Sequence, residues 1–109
     1  MKIAAIVTVS MQPRVALDAY VIDTLLPDIV GHDRRPSAFL VYLYLLRVAA
    51  RSRDDAVVAS LQTIAVRTGL SKAAVQSAIR HLKRRGLLDD KAEATTLRPL
   101  RRVRRPWRR

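Results

Sequence analysis

The segment SLQTIAVRTGLSKAAVQSAIRHLKRRG, residues 60–86, limits the possible folds more than any other part of this chain. Its apolar residues recur at three- and four-residue steps on both sides of a glycine, as in two short amphipathic helices joined by a tight turn. Ser60 is placed to cap a first helix over Leu61–Thr68, with Ile64 and Ala65 facing inward. Gly69 supplies a turn conformation open without steric cost only to glycine, Leu70 plugs the turn into the core, and Ser71 caps the second helix. In that helix Val75, Ile79 and Leu82 point inward with Ala78. Geometry then leaves Lys72, Ala73, Gln76, Ser77, Arg80, Lys83 and Arg84 outside, with no acid among them, and Gly86 ends the helix.

The rest of the chain supplies what such a pair packs against. Residues 1–13 read as an N-terminal arm or added strand, with β-formers Ile3, Ile6, Val7 and Val9. Residues 14–35 read as an N-terminal helix and link. Leu17, Tyr20, Val21 and Leu25 form one apolar stripe and Ile22, Leu26 and Ile29 a second, while Pro27 is expected to kink the helix and Gly31 to stop it. Two stripes need two covers, which predicts a dimer contact on this helix. Residues 36–53 read as a central buried helix built on Phe39, Tyr42, Leu43, Leu46 and Ala50, widened by Leu40, Leu45 and Val48. Residues 56–59 suit one short strand. The apolar run 38–46 is far below the ~20 residues of a membrane span, and nothing resembling a small-residue cleavage site follows MKIAAIVTV, so neither a membrane span nor a signal peptide is expected.

Charge points to a polyanion. The net charge is +12, yet residues 1–35 carry four basic and four acidic side chains. Residues 36–93 carry ten against five, and residues 94–109 carry seven arginines and no acid. A neutral front and a cationic back half suit a nucleic-acid partner on one side of the molecule. Without cysteine there is neither a disulfide framework nor a thiolate metal site, as fits the cytoplasm.

The pattern Ile64-Ala65, Gly69-Leu70-Ser71, Val75 and Ile79, followed by RRGLL at 84–88, resembles the winged helix-turn-helix of bacterial MarR-like and GntR-like transcriptional regulators. The resemblance covers residues 36–104. It implies a mainly α fold with a small β-hairpin (α+β), here with an extra N-terminal helix, and a function of sequence-specific binding to double-stranded DNA in transcription regulation. Carried onto this sequence, it implies that Lys72, Ala73, Gln76, Ser77 and Arg80 read bases in the major groove. Ser60, Thr63, Arg67, Ser71, Lys83 and Arg84 would then hold phosphates. Two alternatives stay open under the same motif. One is a plasmid or phage replication or partition module; the other is a protein-interaction winged helix with an RNA-binding arginine tail.

Residues 87–103 read as the wing, with a turn at 90–93 whose Asp90 and Glu93, beside Asp89, argue against a tip lodged in a minor groove. Beyond it, Arg98, Arg101, Arg102 and Arg104 are candidates for phosphate contact, and 105–109 is a basic tail. Trp107 is expected to pack back onto the domain. No HExxH, glycine-rich phosphate loop or nucleophile elbow is present, and Ser71 and His81 lie too far apart on one helix to pair. The expectation is therefore a DNA-binding homodimer with no catalytic residue, no cofactor or metal and no small-molecule ligand.

Overall fold

Residues 36–50 are apolar on almost every side, so a helix made from them must sit at the centre of whatever forms around it. In the computed structural model, which describes residues 14–52, 54–89 and 100–108, it does. Helix α1 (Val21–His32) precedes this central helix α2 (Pro36–Ala49), and strand β1 (Ala56–Val58) follows. Helices α3 (Leu61–Thr68) and α4 (Lys72–Arg84) come next, then strands β2 (Leu88–Asp89) and β3 (Leu100–Val103). The result is a mainly helical α+β winged helix-turn-helix with a small antiparallel sheet in the order β1-β3-β2.

Helix α2 presents Ala38, Phe39, Val41, Tyr42, Leu45, Leu46 and Ala49 to the core. Leu40 and Ala50, expected on its buried face, are exposed, while Leu43 and Val48 are half-buried. The phase differs because a helix apolar all round has no polar face to fix its rotation. Neighbours decide it instead.

Helix α1 is π-wound: the Asp33 amide donates 2.8 Å to the Asp28 carbonyl five residues back. The wider turn brings every fourth residue to the same side. Val21, Leu25 and Ile29 form the buried stripe, flanked by the half-buried Leu26 and Val30. The two predicted stripes thus merge into one, and Leu17 and Ile22 stay exposed. The helix runs through Pro27 and past Gly31.

Strand β3 lies in the middle of the sheet, with Val57 opposite Arg101 and Leu88 opposite Val103. Beyond it the chain turns back over α1. Trp107 stacks on Tyr20 at 4.8 Å and donates its indole N–H to Asp18 at 2.7 Å, as expected of a tryptophan packing onto the domain. Arg108 donates twice to the same carboxylate, both at 2.7 Å. Hydrogen bonds from Arg108 and Trp107 hold the Asp18 carboxyl at about 2. The buried Tyr42 hydroxyl donates to the Arg104 carbonyl at 2.7 Å, and burial pushes its own pKa up. Residues 104–108 are a strap across the domain, where the sequence predicted only a basic tail beginning at 105. The predicted N-terminal arm, the wing turn with Arg98, and Arg109 lie outside the described residues. Among the described residues, no helix is long and apolar enough to cross a membrane.

Candidate nucleic-acid interface

The α3–turn–α4 unit is fixed by local chemistry. The Ser60 hydroxyl oxygen accepts from the Thr63 amide at 3.1 Å and caps α3. Gly69 ends α3 with φ +80° while its amide donates to the Ala65 carbonyl at 2.9 Å. The Ser71 hydroxyl oxygen accepts from the Ala74 amide at 3.0 Å and caps α4. At the far end the Leu87 amide reaches the Leu82 carbonyl and the Gly86 amide the Lys83 carbonyl, closing a Schellman motif with Gly86 at φ +73°.

Helix α4 buries Val75, Ala78, Ile79 and Leu82, so its opposite face is open. Lys72, Ala73, Gln76, Arg80, Lys83 and Arg84 are all exposed on it. Thr63, Arg67 and Ser71 are exposed beside them, and Ser60 is half-buried. A capping hydroxyl keeps its own proton, so Ser71 can accept from Ala74 and still donate outward. Ser60 has used its proton on the Thr63 hydroxyl at 3.1 Å. Ser77 is half-buried, because Arg35 Nη1 lies 3.3 Å from its hydroxyl oxygen and donates to it.

The arginines of the outgoing strand and strap are placed differently from the sequence expectation. Arg101 is 8% exposed, and its guanidinium donates to the Ala59 carbonyl. A side chain held inward at the β1–α3 junction is not available to a phosphate. The cause is strand alternation: Arg101 shares the inward face with Val103, two residues on. Arg102 is half-buried, 3.5 Å from Asp54, and Arg104 is exposed, 4.0 Å from Asp89. Arg105 pairs with Asp55 at 2.8 Å. Arg102, Arg104 and Arg105 line an open cleft of about 410 Å³, but Asp54 and Asp55 line it as well and already hold Arg102 and Arg105.

A second cluster was not anticipated. The Asp33 carboxylate accepts from His81 Nε2 at 2.7 Å and from Arg85 Nε at 2.9 Å, and Arg85 also donates to Asp28. Burial opposes the charged form of Asp33, but hydrogen bonds from His32 and His81 and the Arg85 charge outweigh it and hold the carboxyl at about 2. Asp28, His32 and Asp33 lie close enough to share an ion, yet the Arg85 guanidinium already supplies the positive charge there. The sequence signal was His81 and Arg85, four apart on the flank of α4 beside the open face. Nothing local named their partners.

Residues 35–88, from the start of α2 to the first strand of the wing, match the family model described as a helix-turn-helix domain. This segment is a helix-turn-helix domain. The match takes in both helices of the unit, its turn and the helix that supports it, and it stops short of the strap and α1. No curated protein and no solved structure matches the chain.

Proposed function

We propose that the helix-turn-helix domain binds double-stranded DNA sequence-specifically, with α4 in the major groove, and regulates transcription by occupying its site. One observation carries this reading: the face of α4 opposite Val75, Ala78, Ile79 and Leu82 is exposed, cationic and free of acids. Lys72, Ala73 and Gln76, in the first two turns, are the side chains that meet base edges, Gln76 suiting the bidentate edge of adenine and Ala73 the thymine methyl. Arg80 lies between bases and backbone. Ser71, Thr63, Arg67, Lys83 and Arg84 position the helix on phosphates, with Arg104 the best placed of the outgoing arginines. The work is occupancy, with no chemical step, in a bacterial cytoplasm where the duplex is reached directly.

A homodimer belongs to the same proposal. Its support is three exposed apolar side chains, Val15 and Leu17 ahead of α1 and Ile22 in its first turn. Selection of bound fragments from random duplex DNA tests both parts. A recovered palindrome supports a dimeric regulator, and a single half-site supports a monomer. Fragments without any common sequence would contradict base reading. A footprint at a replication origin rather than a promoter would move the same interface to a replication or partition module.

A further inference from the structure

The described arginines divide by partner. Arg85, Arg102, Arg105 and Arg108 each lie against a carboxylate, so their charge is largely met inside the protein. Arg35 is held in place too, but by a neutral hydroxyl, Ser77, and it has no ion pair among the described residues. Its neighbour Arg34 is exposed with φ +56°, a left-handed conformation that a non-glycine residue holds only where its surroundings impose it.

Those surroundings are the hydrogen bonds on either side. Asp33 grips His81 and Arg85 in the last turns of α4, and two residues later Arg35 grips Ser77, one turn nearer the end of α4 that meets base edges. The link 33–35 therefore runs along α4 toward the groove. At 3.6 residues per turn, Ser77 lies about 60° round the helix from Arg80 and about 20° from Arg84. The Arg35 guanidinium thus extends the cationic face sideways.

We propose that Arg34 and Arg35 form a phosphate clamp beside the recognition helix, gripping the DNA strand that borders the groove on the Ser77 side. The clamp rests on the proposed binding of duplex DNA by α4 and adds to it a contact made from outside the helix-turn-helix unit. Phosphate is the ligand this chemistry selects. A planar guanidinium that lacks a carboxylate, already oriented by one N–H, has its remaining donors directed outward. Asp33 acts as a positioning residue, because its bonds to α4 fix the backbone that carries both arginines.

The test is anisotropy of a labelled mixed-sequence 30-base-pair duplex, titrated at several salt concentrations with the full chain. Arg34→Ala with Arg35→Ala is expected to weaken binding by a similar factor on every sequence, and to reduce the slope of log affinity against log salt by about one per arginine engaged. Arg35→Lys, which keeps the charge, should retain most of the slope. Ser77→Ala, which frees Arg35 without removing it, should give a smaller loss of the same kind. Circular dichroism confirms that each variant is folded. The clamp is overturned if the double alanine variant keeps wild-type affinity and slope while Gln76→Ala with Arg80→Ala loses binding, a result that leaves the α4 reading standing. If neither pair of substitutions alters binding, the clamp and the α4 reading fail together.

Discussion

Asp33 and His81, 48 residues apart, are joined by a 2.7 Å hydrogen bond that ties the link after α1 to α4. Because the same carboxylate takes Arg85 Nε, its loss strands two donors at once. Asp33→Ala is expected to destabilise the fold by about 1.5–3 kcal/mol, the range for hydrogen bonds that involve a charged group. Urea denaturation measures this directly. An unchanged midpoint would mean that α1 is not coupled to α4.

Acid should release these ties in a defined window. The carboxyls of Asp18 and Asp33 are both lowered from 3.8 to about 2 in the folded protein. A depressed carboxyl contributes its stability in full above the unfolded value and loses it as pH falls through the folded one. Stability should therefore be level in this respect above about pH 4 and decline between roughly pH 4 and 2. Trp107 is the chain's one tryptophan, so its fluorescence reports the Asp18 latch separately. Asp18→Asn at neutral pH should shift its emission to longer wavelength, as acid does to the wild type. Unchanged emission in Asp18→Asn would show that the strap does not depend on that carboxylate.

Arg101 should behave as a structural residue. Arg101→Ala leaves the Ala59 carbonyl without its buried donor, at an expected cost of about 1–3 kcal/mol. The affinity of the folded fraction for duplex DNA, and its salt dependence, should be unchanged. A reduced salt slope would place Arg101 on the DNA instead.

At Gly69 the cost of substitution is conformational. A Cβ would meet nothing within 4 Å, but φ is +80°. Gly69→Ala is therefore expected to cost about 1–2 kcal/mol, and Gly69→Asn less, because asparagine tolerates the left-handed region. Thermal unfolding distinguishes the two. Equal losses would point to a steric cause.

What could be read from the sequence follows from the range of each interaction. Residues 60–86 declared their structure because every boundary is local: Ser60 and Ser71 bond amides three residues on, and Gly69 and Gly86 take the positive φ they were needed for. The exposed α4 face followed from the burial of Val75, Ile79 and Leu82. The strap was not legible in detail, because Asp18 meets Trp107 and Arg108 across 89 and 90 residues, and a run of arginines looks the same whether it faces water or carboxylates. Trp107 carried a signal through its apolar bulk. Arg101 carried one as well, since alternation from Val103 places it inward. The π winding of α1 had no local signature, and the stripes drawn for an α-helix assigned Ile29 to a second stripe with Ile22 and Leu26, apart from Val21 and Leu25.

The most direct measurement is the duplex affinity of Gln76→Ala with Arg80→Ala on the DNA sequence that the wild type selects, beside a scrambled duplex. Both side chains are exposed, so the variant should fold as the wild type does. The account predicts a loss of about 1–3 kcal/mol on the selected sequence for the base contact alone, with a smaller, non-specific loss on the scrambled one. Wild-type affinity and preference in the folded variant would contradict α4 as the reading element.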